Sequence, residues 1–333
     1  MQKLILRGSA QYLHLAGSKF IKSEIDYIML NLPFECNYQC LKCCNRFREY
    51  NLGNLSLTKI KESILRLQKV GAKVLVIAGE GEPVINKNFR AIVKFANKNK
   101  LIPYIFTNGS VINEKLAKFL AQNNASLIIN MDSFEEEKYN HYVNKKGAYK
   151  NLIKNIKVIR KIYTNNIYSY HKSTVVSLAI NLVLNNENYK QIEKIKKFCG
   201  DDIVFVVNKP IDIGSASKNN KKYNKVKNII IDKDVSYPLG TLVEGRECSY
   251  MKNGISIGSD GKILTCAYAL ETQNLYGDIF NSIEGIGKKV LKSVNDFYKK
   301  YGFSRCILRH PKYHEFIRFT EEQNEKNRIK SRS

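Results

Sequence analysis

Three cysteines with the spacing C-x3-C-x2-C, Cys36, Cys40 and Cys43, follow an apolar run over residues 26–33. Such a run predicts a buried strand, so we expect these cysteines, the first cysteine set, in the loop at its carboxyl end. Three thiolates can hold three irons of a cubic [4Fe–4S] cluster, which normally takes four ligands. The fourth iron is then open to a small molecule that binds through nitrogen and oxygen.

Two plainer interpretations compete with an iron–sulfur cluster. A structural zinc site needs four ligands, and Cys44 would have to be the fourth. Because Cys43 and Cys44 are adjacent, both thiols cannot easily face one small ion. Free cysteines also pack as small apolar side chains, but four of them within nine residues of one loop argue against chance clustering.

The pattern resembles the cluster motif of the radical S-adenosylmethionine enzymes. The resemblance implies a [4Fe–4S] cluster on the first cysteine set and S-adenosylmethionine on the open iron. It also implies reductive cleavage of S-adenosylmethionine to a 5′-deoxyadenosyl radical, which abstracts hydrogen from an unactivated C–H bond. That family usually has an aromatic residue before the third cysteine. Lys42 stands there, so we expect the adenine to be packed differently.

Composition sets broad limits on the class of protein. The 333 residues suffice for a large and a small domain, and 44% hydrophobic content is ordinary for a soluble globular protein. Eight cysteines without an export signal or a membrane-length apolar run predict a cytoplasmic protein. The net charge of +25 is spread along the chain rather than gathered in a nucleic-acid-binding module. A nucleic-acid or membrane partner is therefore not expected.

Apolar runs and helical patterns alternate through the first two thirds of the chain. The predicted strands cover residues 27–32, 73–78, 103–107, 126–132, 175–184 and 203–207, and the predicted helices cover residues 56–70, 88–99, 113–122, 149–163 and 189–198. Six successive βα units predict an α/β fold with a parallel sheet curled into a (β/α)6 partial TIM barrel. The barrel of the radical S-adenosylmethionine family is similar.

Polar residues follow several of these strands, at the edge where such barrels place their chemistry. Gly81 and Glu82 resemble the second glycine and the glutamate of the family's Gly-Gly-Glu-Pro motif, which holds the methionine amino group, and Glu80 replaces the first glycine. By the same resemblance, the predicted cofactor-binding residues are Gly81, Glu82, Thr107, Asn130, Asp132 and Asn181. Asn181 can equally be a satisfied core amide.

The C-terminal third carries a second cysteine set, Cys248, Cys266 and Cys306. Asp260-Gly261 predicts a β-hairpin turn ahead of Cys266. This layout resembles the SPASM or twitch extension, a small α+β domain that implies an auxiliary [4Fe–4S] cluster. Only three cysteines are found, so Cys199, His310, His314, an acidic side chain or a substrate is left for the fourth iron. The alternative is that these cysteines only pack the hairpin.

The predicted organisation has five parts: an N-terminal extension at 1–25, the barrel at 26–216, a basic linker at 217–235, the auxiliary-cluster domain at 236–320 and a charged tail at 321–333. The predicted function is that of a maturase-type oxidoreductase acting on a peptide, sugar or other small molecule by dehydrogenation, cross-linking or epimerisation. An electron donor such as flavodoxin or ferredoxin is the implied partner. The alternatives are a radical enzyme that modifies a nucleotide or RNA, and a non-catalytic iron–sulfur redox or scaffold protein.

Overall fold

The computed structural model describes residues 3–17, 25–46, 53–78, 80–208, 211, 248–281, 283–304 and 306–330. Its strands are β1 (Lys3–Leu6), β2 (Tyr27–Leu30), β3 (Val74–Ile77), β4 (Ile102–Thr107), β5 (Ser126–Asn130), β6 (Tyr168–Tyr170), β7 (Ser173–Val176), β8 (Leu178–Val183), β9 (Val204–Asn208), β10 (Gly254–Ile257) and β11 (Ile263–Leu264). Its α-helices are α1 (Ala10–Leu15), α2 (Leu57–Lys69), α3 (Phe89–Lys98), α4 (Glu114–Gln122), α5 (Glu136–Val143), α6 (Ala148–Tyr163), α7 (Ile192–Cys199), α8 (Ser249–Lys252), α9 (Ile286–Tyr301) and α10 (Phe316–Lys330). Short 3-10 helices span Pro83–Ile85, Thr164–Asn166, Tyr189–Gln191, Leu270–Thr272, Ile307–Arg309 and Tyr313–Glu315.

The main sheet has eight strands in the order β11-β10-β2-β3-β4-β5-β8-β9. All neighbours pair in parallel except β11, which is antiparallel to β10. The six strands predicted from the sequence are consecutive in it, from β2 to β9. The predicted α/β fold with a parallel, partial-barrel sheet is therefore confirmed.

Local sequence signals explain where the helices begin. The Ser56 hydroxyl accepts a hydrogen bond from the Lys59 N–H at the start of α2, and the Asn113 side-chain oxygen accepts one from the Leu116 N–H at the start of α4. These side chains satisfy backbone donors that have no partner inside the helix. After α2, Gly71 has a φ of +110°, which favours glycine.

The two faces of the sheet bury different sets of side chains. The outer face packs against the helices, and strand residues such as Ile77 belong to one large apolar cluster with helix residues such as Ile64. The inner face carries a separate cluster around Tyr104, which Leu6 and Leu13 of the N-terminal segment close. Since side chains alternate between the two faces along a strand, every second residue points to the inner face. The inner face is thus apolar at the amino ends of the strands and becomes polar towards their carboxyl ends.

Two predicted elements are each divided in the structure. The predicted strand at 175–184 is two strands, because β7 leaves the main sheet to pair with β1 and β6, whereas β8 stays between β5 and β9. The predicted helix at 189–198 begins as the 3-10 helix Tyr189–Gln191 before α7. Propensity alone does not locate such breaks, since they follow from which neighbour each segment pairs with.

The predicted C-terminal hairpin is present as β10 and β11, and it extends the main sheet. Ile255 of β10 lies opposite Ile28 of β2, in parallel register. The predicted linker at 217–235 lies outside the described residues, so the domain boundaries stay predictions. No helix in the described ranges has the length and hydropathy of a membrane span.

Candidate active site

The loop that carries the first cysteine set is held by neighbouring elements at both ends. The Asn31 N–H donates to the Ile257 carbonyl of β10 over 2.9 Å. Further along, the Leu41 N–H donates to the Tyr142 carbonyl over 2.9 Å, at the end of α5. The loop therefore spans from the sheet to α5 at the carboxyl ends of the strands.

Cys36, Cys40 and Cys43, the predicted cluster ligands, lie near one another. All three are partly exposed and free of disulfides. The pKa of the Cys40 thiol is raised first by burial and then by the negative charges of Cys43 and Cys36, which must be near neighbours to have this effect. Burial likewise raises the pKa of Cys36, and Cys43 adds to it.

This donor set fits an iron–sulfur cluster better than a single metal ion. In the described part of the chain, no three His, Cys, Asp or Glu side chains converge closely enough to hold one ion. A cubane places its thiolate ligands on different irons, so its ligands stand farther apart than those of one zinc ion. Positive charge at the irons would offset the repulsion among the three thiolates.

Gly81 lies directly against the loop that carries the first cysteine set. The Glu82 N–H donates to the Glu35 carbonyl over 2.7 Å. A Cβ atom on Gly81 would lie 2.2 Å from the Glu35 carbonyl oxygen and 2.6 Å from its nitrogen. Only glycine permits this backbone contact, which fixes the position of Glu82 relative to Cys36.

The Glu82 carboxylate is buried and held by the end of β4. Its Oε1 accepts from the Thr107 hydroxyl over 2.7 Å, and its Oε2 accepts from the Asn108 N–H over 2.7 Å. Burial raises the pKa of Glu82 to about 7, although these hydrogen bonds oppose the rise. Thr107, a predicted cofactor contact, thus positions Glu82 in this structure.

Asn37, inside the first cysteine motif, links the loop to the residues after β4. Its side-chain oxygen accepts from the Asn108 side chain over 3.0 Å, and its amide nitrogen donates to the Ser110 hydroxyl over 2.8 Å. Asn37 was not among the site residues predicted from the sequence. Its position between Cys36 and Cys40 is the sequence signal that could have identified it.

Lys42 is buried beside Asp132. Its Nζ lies 3.2 Å from Asp132 Oδ2, with side chains 7% and 20% exposed, and 4.0 Å from the centre of the Tyr142 ring. The 3.2 Å distance is that of an ion pair, although its direction is not that of a hydrogen bond. Asp132 Oδ1 also accepts from the Val183 N–H over 2.8 Å. Asp132 therefore joins the loop of the first cysteine set to β8.

Asn130 and Asn181 meet on the inner face of the sheet. The Asn181 amide nitrogen donates to the Asn130 side-chain oxygen over 2.8 Å. Asn208, which was not predicted from the sequence, donates to the Asn181 side-chain oxygen over 2.6 Å. Like Asn181, Asn208 is a polar residue in an apolar strand, and this signal could have identified it.

The second cysteine set is also assembled. Burial raises the pKa of Cys248 to about 11, with Cys306 as the next cause, and burial, Cys248 and Cys306 raise the pKa of Cys266. The Tyr313 hydroxyl donates to the Glu271 carboxylate, which joins the segment after Cys306 to the loop after Cys266. Glu271 also raises the pKa of Cys266, so its carboxylate is near that thiol.

Three of the candidates for a fourth ligand have other contacts. The His310 Nε2 donates to the Gly302 carbonyl over 3.0 Å, and its Nδ1 accepts from the Lys312 N–H over 3.0 Å. The His314 side chain is 72% exposed beside Glu315. Cys199 is buried at the end of α7, on the side where the strands begin, and burial raises its pKa to about 12. Among the described residues, this leaves Glu271 as the acidic side chain beside the second cysteine set.

The segments that carry the two cysteine sets are linked. The buried Asn31 side chain donates to the Ala267 carbonyl over 2.7 Å, and so joins the end of β2 to the residue after Cys266. Burial raises the pKa of Tyr268, and Cys44, Cys266 and Cys43 raise it further. Tyr268 therefore lies between the two sets, and Cys44 is close to it.

A partial barrel with three thiols in one loop and a buried carboxylate beside them defines a cluster-dependent enzyme class. The chain belongs to the radical SAM superfamily, whose family model matches residues 30–199. It is therefore an enzyme of a family built on a [4Fe–4S] cluster and S-adenosylmethionine.

Known proteins of this family resemble the chain over different lengths. A cysteine-type anaerobic sulfatase-maturating enzyme of Clostridium novyi is 28% identical over 221 residues, which are 59% of this chain and 56% of that protein. The chain thus spans little more than half of that relative. The crystal structure of Streptococcus suis SuiB bound to the precursor peptide SuiA has a TM-score of 0.57 at 15% identity and covers 79% of this chain and 64% of SuiB. The structure of anSMEcpe with AdoMet and the Cp18Cys peptide has a TM-score of 0.54 at 15% identity and covers 92% and 98%. These two structures show the fold.

Proposed function

We propose that this chain is a maturase-type radical SAM enzyme that removes a hydrogen atom from an unactivated C–H bond of a peptide. Cys36, Cys40 and Cys43 would hold the cluster that binds S-adenosylmethionine. The second cysteine set would hold an auxiliary [4Fe–4S] cluster. Dehydrogenation, cross-linking and epimerisation are the overall reactions open to such an enzyme.

The observation that carries the proposal is the position of the two cysteine sets. The first set follows the carboxyl end of β2, the second set flanks and follows the β10–β11 hairpin that pairs with β2, and the Asn31–Ala267 hydrogen bond joins the end of β2 to the residue after Cys266. When bound, the first cluster and S-adenosylmethionine would supply one-electron chemistry that ends in hydrogen abstraction. A substrate between the two sets would be within reach of both.

Glu82 is suited to hold a cationic amino group. A carboxylate offers about four lone-pair sites. Glu82 uses three of them to accept from the Thr107 hydroxyl and from the Asn108 and Val84 N–H groups. Oε2, which receives only the Asn108 bond, can accept one more. An ammonium group there would also offset the cost of burying the negative charge.

The auxiliary cluster held by the second cysteine set would accept one electron from the substrate radical that hydrogen abstraction leaves. Glu271 is positioned to supply a fourth ligand, because its carboxylate is near Cys266 and Tyr313 holds it in place. A peptide substrate is supported by the maturase relative and by the peptide-bound structures of similar fold.

The test is anaerobic reconstitution with iron and sulfide, followed by dithionite and S-adenosylmethionine. We expect 5′-deoxyadenosine from the native chain and none after Cys36→Ala, Cys40→Ala and Cys43→Ala are combined. Cys199→Ala is the matched control, because Cys199 is buried at the end of α7, where the strands begin, and the first cysteine set follows the carboxyl end of β2. The proposal is wrong if fully iron-loaded native protein forms no 5′-deoxyadenosine, or if the triple variant forms as much as the native chain.

A second assay addresses the substrate class. A synthetic cysteine-containing peptide should raise the rate of 5′-deoxyadenosine formation, whereas GTP should not. Stimulation by GTP alone would instead favour a nucleotide-modifying enzyme.

A further inference from the structure

Three asparagines form a row across the inner face, at the carboxyl ends of β5, β8 and β9. Asn130 and Asn181 are direct partners in the register of β5 and β8, and Asn208 is paired with Val183 one strand further. Each asparagine stands two residues after a member of the inner apolar cluster, Ile128, Ala179 and Val206. Strand alternation therefore points all three side chains to the same face.

The hydrogen bonds within this row run in one direction. The Asn208 amide nitrogen donates to the Asn181 oxygen over 2.6 Å, and the Asn181 amide nitrogen donates to the Asn130 oxygen over 2.8 Å. A carboxamide has one accepting oxygen and one donating nitrogen. Because the Asn130 oxygen already accepts from Asn181, the Asn130 nitrogen is the group left for a further partner.

The two ends of the row differ in exposure. Asn181 is 4% exposed, whereas Asn130, the last residue of β5, is exposed. Among the described residues, no acceptor pairs with the Asn130 amide nitrogen. The row thus ends in a hydrogen-bond donor on the inner face, on the same strand end as Asp132 and its ion pair with Lys42.

The backbone holds the three residues in place, so that the row can reverse only by rotation of the amides. The Met131 N–H donates to the Asn181 carbonyl, and the Leu184 N–H donates to the Asn208 carbonyl, both over 2.8 Å. If the residue at position 208 could only accept, Asn181 would have to donate to it. The Asn181 oxygen would then accept from Asn130, and Asn130 would present its oxygen instead of its nitrogen.

We propose that Asn208 is a positioning residue that acts through Asn181 to make Asn130 a hydrogen-bond donor towards an oxygen atom of bound S-adenosylmethionine. This inference rests on the proposed function, since it requires S-adenosylmethionine on the inner face. Asn208 itself does not have to touch the ligand.

Asn208→Asp tests the direction of the row with almost no change in shape. A carboxylate at this position accepts but does not donate, so the row should reverse and bring two oxygens face to face at the ligand. We expect S-adenosylmethionine to bind about tenfold more weakly, as for the loss of one hydrogen bond. The added negative charge would by itself favour the cationic sulfonium, so weaker binding does not follow from charge alone.

Asn208→Leu separates this positioning role from simple packing. Leucine neither donates nor accepts, so Asn181 can still donate to Asn130, and we expect a smaller loss of about threefold or less. If the amide only supported the local structure, leucine would do more damage than aspartate. The order of the two effects therefore distinguishes the explanations.

The measurement is the Kd of S-adenosylmethionine by isothermal titration calorimetry on anaerobically reconstituted protein, with iron content and thermal unfolding recorded for each variant. In an Asn130→Ala background, Asn208→Asp should have no further effect, because the group that it reverses is gone. Equal losses for Asp and Leu at 208, or an undiminished Asp effect in that background, would overturn the inference. Failure of the iron-loaded native chain to bind S-adenosylmethionine would instead refute the proposed function.

Discussion

The buried ion pair between Lys42 and Asp132 should stabilise the loop of the first cysteine set. Lys42 contacts Asp132 at 3.2 Å and the Tyr142 ring at 4.0 Å, and its side chain is 7% exposed. Lys42→Met would keep much of the aliphatic volume and remove the charge. Asp132 would then keep its Val183 hydrogen bond without a cation beside it.

The expected loss is large for a single substitution. Removing one partner of a fully buried pair costs about 3–5 kcal/mol, and the 20% exposure of Asp132 reduces this to about 2 kcal/mol. Loss of the cation–π contact adds about 1 kcal/mol. We therefore expect Lys42→Met to lower the free energy of unfolding by about 3 kcal/mol.

A double-mutant cycle isolates the pair. Urea unfolding of cluster-free native, Lys42→Met, Asp132→Asn and doubly substituted protein at neutral pH should give a coupling energy of about 2 kcal/mol. The exposed pair of Lys118 and Glu114, with side chains 58% and 64% exposed, is the control and should couple by less than about 0.5 kcal/mol. If the two cycles gave equal coupling, the buried pair would not stabilise the loop as argued.

Three further predictions concern the two cluster sites. Burial raises the folded-state pKa of Glu82 from 4.5 to about 7, so the stability of cluster-free protein should fall as pH rises through this window. Between about pH 5 and about pH 8, the free energy of unfolding measured in urea should fall by about 3 kcal/mol more for the native protein than for Glu82→Gln. Parallel pH profiles for the two proteins would contradict the raised pKa of Glu82. Gly81→Ala should sharply lower iron incorporation and 5′-deoxyadenosine formation, because its Cβ would lie 2.2 Å from the Glu35 oxygen; normal iron content would disprove this. Combined alanine substitution of Cys248, Cys266 and Cys306 should lower the iron content from about eight to about four per chain. Product formation should stop while S-adenosylmethionine cleavage persists. An unchanged iron content would mean that the second cysteine set holds no cluster.

The sequence by itself was sufficient for the order of the strands and for the first cysteine set. Parallel strands buried on both faces leave long apolar runs, and helices between them leave a helical period, so β2 to β5 and their connecting helices could be predicted locally. The spacing of Cys36, Cys40 and Cys43 is equally local, because one loop carries all three predicted ligands. A strand broken between β7 and β8 was not predictable, since both pieces are apolar and only their pairing partners differ.

The tertiary structure decided how distant segments meet. Pairing of β10 with β2 brings the segment with Cys266 next to the strand that leads into the first cysteine set. Nothing in the sequence near Cys266 specifies β2 as the neighbouring strand. The contacts of His310 with the Gly302 carbonyl and the Lys312 N–H likewise exist only in the folded chain, and they occupy a side chain that its residue type made a candidate ligand. The direction of the asparagine row also depends on contacts across three strands. Residue type limits what a side chain can bind, but the partner that it binds is set by which segments the fold places beside it.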